Sequence, residues 1–155
     1  MTRHIIPPAL QGTYDTWHFA PAVVSRGLIF CSGIIGTSPD GAAPGSAGGL
    51  AGAEATTGED GAELGALVAV RDPEAQFRTA FDALDAILRA AGAGLADVIE
   101  LTSYHVDMAT HMPAFIRARD ACLHPPYPAW TAVGVAELIV PGGLVELRAV
   151  ARAPD

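Results

Sequence analysis

The sequence contains no lysine and no asparagine, and all nine of its basic residues are arginine. Without lysine, the chain cannot form a Schiff base with a substrate carbonyl, hold pyridoxal phosphate through a lysine, or build a phosphate-binding loop that ends in lysine. Without asparagine, it has neither a Cys-His-Asn triad nor an N-glycosylation acceptor. These absences exclude several covalent mechanisms before any motif is considered.

Cysteine and positive charge are also scarce. The two cysteines, Cys31 and Cys122, lie in different sequence settings, which is typical of a reducing compartment and not of a disulfide framework. The five histidines show no metal-ligand spacing, so we expect neither a metal nor another cofactor. The formal net charge of −8 argues against a nucleic acid or an anionic membrane as a partner.

Long apolar runs are missing as well. No run approaches the roughly 18 residues of a membrane span, and the N-terminus lacks the apolar core of a secretory signal. We therefore expect a cytoplasmic protein. The 155 residues suffice for one domain. Residues at about 39–66 are rich in glycine and alanine and lack aromatics, which predicts a long loop or a partly disordered insertion.

Hydrophobic patterning predicts strands and helices on both sides of this insertion. Strands at 22–25 and 28–32 are predicted to form a tight hairpin at Arg26-Gly27. After the insertion, a helix is predicted from an Asp72 cap to Gly92, and a second helix from a Thr110 cap to a point before Pro125. Further strands are predicted at 97–106, 130–135 and 144–152. This order predicts an α+β fold with one mixed sheet and two helices on one face.

The last strand predicts two different sheet faces. Alternate residues from Val145 onward are apolar, whereas Glu146, Arg148 and Arg152 lie on the opposite face among apolar neighbours. A face of this mixed character often contacts another subunit.

Several ordered segments resemble one known family. They are residues 21–23 leading into 28–33, residues 76–92 and 97–108, the tripeptide Tyr127-Pro128-Ala129, and residues 145–151. Together they cover most of residues 17–153 and resemble the RidA/YjgF family of small trimeric enamine/imine deaminases. The resemblance implies a single domain with a chorismate-mutase-like fold, a homotrimer, and active-site clefts between subunits.

The resemblance also implies roles for individual residues. In members with the deaminase signature, an arginine after a Pro-Ala pair holds the substrate carboxylate, and a glutamate on the last strand positions or activates the attacking water. The glutamate corresponds to Glu146, but Trp130 stands in the arginine position. An indole offers one neutral donor and an apolar face, so it cannot make the bidentate contact of a guanidinium.

The expected function is therefore a Rid-like deaminase for an imine or enamine that needs no carboxylate clamp. The alternatives are a non-catalytic trimeric protein that binds a small or aromatic molecule in an inter-subunit cleft, and a structural trimer with a vestigial cleft. With Glu146 as the catalytic residue, the predicted substrate-binding residues are Phe19, Gly33, Tyr104, His105, Trp130, Thr131 and Ala132.

Each of these residues also has a plainer interpretation. Glu146 can pair with one of the arginines on its own strand, and Trp130 can be a core residue, as tryptophan usually is. A lone strand histidine such as His105 is more often structural than catalytic. Phe19 and Tyr104 suit a cleft wall and a subunit interface equally well.

Overall fold

The computed structural model describes residues 1–45, 48–50 and 68–155. Within these ranges, the main sheet contains β1 (Thr2–Ile5), β2 (Ala22–Ser25), β3 (Leu28–Cys31), β6 (Val98–His105), β7 (Ala129–Gly134) and β8 (Val145–Arg152). A separate pair is formed by β4 (Thr37–Ser38) and β5 (Val68–Ala69). The helices are α1 (Gln11–Trp17), α2 (Pro73–Ala90) and α3 (Met108–Cys122), with 3-10 turns at Pro8–Leu10 and Leu95–Asp97.

The main sheet is mixed. Its strands lie in the order β1-β2-β3-β8-β6-β7. The neighbours are antiparallel except β6 and β7, which run parallel. The α+β class and the single mixed main sheet that the patterning predicted are confirmed.

The hairpin between β2 and β3 forms as its sequence predicts. Arg26 and Gly27 both adopt positive φ angles, 51° and 75°, which a two-residue turn of type I′ requires. Val24 then pairs with Ile29 across the hairpin.

Helix α2 begins and ends at the predicted signals. The Asp72 side chain accepts a hydrogen bond from the Ala75 amide at 2.9 Å, and Gly92 ends the helix with a φ of 87°. Phe77 and Phe81 on its apolar face are fully buried. They belong to one core cluster that joins α2 and α3 to the sheet.

The structure corrects three details of the prediction. It contains a third helix, α1, and an additional strand, β1, at the N-terminus. All seven residues of α1 are exposed or half-buried, so it lacks the apolar stripe by which helices are found. Helix α3 begins at Met108 after Asp107, not at a Thr110 cap, and the Thr110 hydroxyl donates to the Asp107 carboxylate at 2.9 Å.

One face of the main sheet is left open by the helices of this chain. Phe30 on β3 is 40% exposed and Val133 on β7 is 37% exposed. By strand register, Tyr104 lies beside Glu146 on this face. The open face therefore mixes apolar, aromatic and charged side chains.

The predicted Gly/Ala-rich insertion at about 39–66 lies largely outside the described residues. Its described flanks contact the domain: Arg71 Nη1 donates to the Asp40 carbonyl at 2.7 Å, and the Gly49 backbone packs against Ala83 of α2. Among the helices in the described ranges, none has the length and hydropathy needed to cross a bilayer.

Candidate functional site

A cavity of about 370 Å³ opens where β3 ends. We call it the Glu146 cavity. Among the described residues that line it, Glu146 is the only ionisable one. The remaining walls are mainly apolar and come from several elements: Leu10, Phe19, Ile34, Ile35, Ile87 and Val140.

Gly33 leaves room for the Glu146 carboxyl group. Its two neighbours are held in place, because the Ser32 amide donates to the Pro21 carbonyl and the Ile34 amide to the Leu147 carbonyl, each at 2.9 Å. A Cβ atom added to Gly33 would lie 2.7 Å from Cδ of Glu146. The carboxyl group therefore packs directly on the backbone at a position where glycine leaves room for it.

Burial raises the pKa of Glu146 above that of an ordinary carboxyl group. Within the part of the chain that the structure describes, Glu146 forms no ion pair with Arg148 or Arg152, and Arg152 lies 3.8 Å from Asp97 instead. A carboxyl group with a raised pKa in an apolar cavity is a stronger base than an ordinary carboxylate and is suited to accept and return a proton.

The structure brings two predicted substrate-binding residues to Glu146. Phe19 and Gly33 line the same cavity, Phe19 from the segment that follows α1. Tyr104 pairs with Glu146 in the register of β6 and β8, so it lies on the same sheet face. Ser32 also lines the cavity, and its hydroxyl donates to the Ala20 carbonyl at 2.7 Å.

Trp130 lies in a different place within the chain. Its Nε1 donates to Ser103 Oγ at 2.9 Å, and its ring stacks on Phe115 with centroids 6.1 Å apart. The Arg119 guanidinium carbon lies 4.4 Å from the indole centroid. Trp130 and Arg119 border a second cavity of about 440 Å³, which we call the Trp130 pocket.

His105 is a core residue, only 1% exposed. Its Nε2 lies 2.7 Å from Ser103 Oγ, its ring meets Phe115 edge-on, and burial lowers its pKa. Its Nδ1 has no hydrogen-bond partner among the described residues. This environment matches the structural interpretation of His105.

Thr131 and Ala132 follow Trp130 on β7, where they pair with Thr102 and Ser103. Thr131 is exposed and Ala132 is half-buried. In a single chain neither lines the Glu146 cavity or the Trp130 pocket. Apart from the buried His105, the predicted residues thus fall into two groups, one around Glu146 and one on β7.

Sequence reasoning missed Arg119 and Ser103, the two polar contacts of Trp130. A helical arginine and a strand serine carry no sequence signal that joins them to a tryptophan on another strand. No group of three or more His, Cys, Asp or Glu side chains in the described ranges is placed to hold a metal ion.

Comparison with known proteins gives consistent relatives. The family model described as Endoribonuclease L-PSP matches residues 13–153. The chain is 31% identical over 152 residues to the RutC family protein YjgH of Escherichia coli (strain K12), covering 97% of this chain and 95% of that protein.

Solved structures agree with this relationship. A structure of protein YJGH superposes with a TM-score of 0.72 at 29% identity, covering 99% of this chain and 97% of that one. RidA from the Antarctic bacterium Psychrobacter sp. PAMC 21119 superposes with a TM-score of 0.66 at 25% identity, covering 97% and 99%. The chain therefore belongs to the RidA/YjgF family, whose matching family model is described as Endoribonuclease L-PSP.

Proposed function

We propose that this protein is a Rid-type deaminase that adds water to the C=N bond of an imine or protonated enamine with an apolar body. The observation that carries this proposal is the Glu146 cavity, in which one carboxyl group with a raised pKa packs on Gly33 among apolar walls. The substrate needs no arginine clamp for a carboxylate.

The charge of the cavity supports this substrate class. No arginine or histidine is found among its described lining residues, so an anionic substrate would be buried beside Glu146 without a cation. A protonated imine is a cation, and its positive charge is complementary to the Glu146 carboxylate. The apolar walls then accommodate the rest of the molecule.

Glu146 would act first as a base and then as an acid. As the water oxygen bonds to the imine carbon, the C=N electron pair moves to nitrogen and Glu146 accepts a water proton. Glu146 returns this proton to the nitrogen, which becomes a leaving ammonium group. When the C–N bond breaks, the hydroxyl proton passes to the carboxylate, and a carbonyl and ammonia form. Glu146 then gives this proton to the ammonia, which departs as ammonium, and the carboxylate is regenerated.

The family resemblance and the open sheet face together support a homotrimer. The exposed Phe30 and Val133 would become buried against other copies, and β7 of one copy would border the cavity of the next. In this arrangement, Trp130, Thr131 and Ala132 contribute to the site across the subunit boundary. Light scattering should give three times the chain mass, and Val133→Glu should lower it to that of one chain.

Glu146→Gln tests the catalytic proposal. The assay measures ammonia release from a panel of imines with apolar and with carboxylate-bearing side chains. We expect Glu146→Gln to lose at least about a hundredfold in kcat/KM on the apolar imines. Glu100→Gln is the matched control, because Glu100 is an exposed glutamate on the adjacent strand. Equal activity of Glu146→Gln and the parent protein would refute the role of Glu146.

A non-catalytic binding protein is the second candidate. The indole in the position of the clamp arginine favours it, because a stacking surface there binds aromatic molecules without chemistry. Saturable binding of aromatic ligands without ammonia release from any imine would support this candidate over the first.

RNA is not the proposed substrate, although the family model is described as an endoribonuclease. The net charge of −8 and the absence of lysine disfavour phosphate contacts. Tight binding of single-stranded RNA at low salt would contradict this view.

A further inference from the structure

The wall of the Glu146 cavity contains a buried threonine, Thr37. Three of the described residues with a side-chain hydroxyl line the cavity: Thr13, Ser32 and Thr37. The Ser32 hydroxyl donates to the Ala20 carbonyl at 2.7 Å, so its proton is already used. Thr13 is half-buried on α1, where water can reach it. Thr37 is only 8% exposed, so it is the buried member of the three.

The Thr37 hydroxyl is open to the cavity. It forms no hydrogen bond with another described residue, whereas the Thr79 and Thr110 hydroxyls each donate one. It is also not occluded, because the occluded side-chain atoms that lack a partner in the described ranges are Ser38 Oγ and His105 Nδ1. A hydroxyl that is neither bonded nor occluded, on a buried residue of a cavity wall, can be reached from the cavity.

The backbone holds Thr37 in place before any ligand binds. β4 pairs Thr37 with Ala69, and the carbonyl of the preceding Gly36 accepts from the Val70 amide at 3.0 Å. Gly36 itself packs on α2, since an added Cβ would lie 2.9 Å from the Gln76 carbonyl carbon. The β-branched threonine side chain also has few rotamers to lose. A hydrogen bond to this hydroxyl therefore costs little conformational entropy.

We propose that Thr37 is a specificity-determining residue whose hydroxyl donates a hydrogen bond to a neutral oxygen in the body of the substrate. The inference rests on the proposed function, because it takes the charged end of the substrate to be the protonated imine at Glu146. The preferred substrates are then imines whose otherwise apolar body carries an ether or hydroxyl oxygen.

The charge and the placement of the polar groups define this ligand. The described lining residues include no arginine or histidine, so a second, anionic group on the ligand would be buried without a cation. Glu146 packs on Gly33 beside the main sheet, whereas Thr37 belongs to the separate β4–β5 pair. The cation and the oxygen must therefore lie on different parts of the ligand. A body of methylene groups alone would leave the Thr37 hydroxyl without a partner, which costs free energy.

Two stable ammonium ions test the proposal without any reaction. Pentylammonium and 3-methoxypropylammonium have the same chain length, and an ether oxygen in the second replaces one methylene of the first. Each carries a cationic nitrogen, as a protonated imine does. Calorimetric titration gives the Kd of each ion for the parent protein and for the variants below. We expect the parent to bind 3-methoxypropylammonium at least as tightly as pentylammonium.

Substitutions at position 37 test the assigned contact. Thr37→Val removes the hydroxyl and keeps the shape of the side chain. It should weaken 3-methoxypropylammonium binding at least about fivefold and leave the Kd of pentylammonium within about twofold. Thr37→Ser keeps a hydroxyl and should bind both ions as the parent does. Thr110→Val is the matched control, because Thr110 is an exposed threonine of α3 that does not line the cavity. Circular dichroism checks that each variant is folded.

The outcomes separate this proposal from the proposed function. Selective weakening of 3-methoxypropylammonium in Thr37→Val, absent in Thr37→Ser, would support the role of Thr37 even if the parent released no ammonia from any imine. Tighter binding of pentylammonium by the parent, equal effects of Thr37→Val on both ions, or binding of neither ion would overturn it. A selective loss in Thr13→Val instead of Thr37→Val would overturn it as well.

Discussion

Replacing Gly33 with alanine would place a methyl group where the Glu146 carboxyl group now packs. The added Cβ would lie 2.7 Å from Cδ and 3.0 Å from Cγ of Glu146. Gly33 is not among the residues with a positive φ, so alanine fits its backbone conformation. The substitution therefore acts on the position of one carboxyl group and leaves the backbone unstrained.

The size of the effect follows from these distances. Ordinary van der Waals contact begins at 3.4 Å, so the carboxyl carbon must retreat by roughly 0.7 Å. A misplacement of about 1 Å in a catalytic group costs on the order of a hundredfold in rate. The Glu146 side chain can rotate away, so we expect the free energy of unfolding to change by no more than about 1 kcal/mol.

Two measurements separate catalysis from stability. Ammonia release from apolar imines should fall by about a hundredfold in kcat/KM, while urea unfolding stays close to that of the parent protein. Gly12→Ala is the matched control, because a Cβ added to Gly12 of α1 meets nothing within 4 Å. Undiminished kcat/KM in Gly33→Ala would refute the packing of Glu146 on Gly33 as the basis of its placement.

Three further substitutions test the packing around the site. Gln76→Leu should lower the free energy of unfolding by about 3–5 kcal/mol, measured by urea unfolding. The buried Gln76 side chain donates hydrogen bonds to two backbone carbonyls and accepts one from a backbone amide, at 2.7–3.1 Å, and leucine would leave these backbone groups without a partner. Glu146→Gln should stabilise the protein more at about pH 7 than at about pH 4 in thermal unfolding. Because the pKa of Glu146 is higher in the folded than in the unfolded protein, the parent protein loses stability as the pH rises from the unfolded-state pKa through the folded-state pKa. Glutamine does not ionise, so the variant lacks this loss. Asp72→Ala should cost about 1 kcal/mol in chemical unfolding through loss of the helix cap, and an unchanged midpoint would contradict the capping contact.

Elements with a strong local signal could be predicted from the sequence. The Asp72 cap, the apolar face of α2 and the Arg26-Gly27 turn depend on residues that are close in sequence, so local sequence patterns predict them correctly. Strand β1 and helix α1 depend on neighbours that are distant in sequence. Ile5 is the one buried residue of β1, and α1 has no buried face, so neither produces a periodic pattern.

The candidate site could be predicted only in part. The resemblance placed Glu146, Gly33 and Phe19 together, and the structure puts all three around one cavity. Its apolar walls come from loops and helices far apart in the chain, which no motif joins. The separation of Trp130 from this cavity also follows from the packing of α3 on β7, a tertiary contact without a local sequence signal.

The Trp130 indole makes specific contacts with its neighbours, and these contacts bear on why a tryptophan occupies the position of the clamp arginine. Ser103 Oγ accepts from Trp130 and also lies 2.7 Å from the buried His105 ring, so the indole is tied into the core. Arg119 already stacks on the same ring, and a second guanidinium at position 130 would stand beside a like charge. The chain thus has an arginine near this position, but Asp120 neutralises it and α3 holds it. Trp130 is thus one part of a pocket that also contains Arg119 and Asp120, so a change at position 130 alters a network of contacts and not one side chain alone.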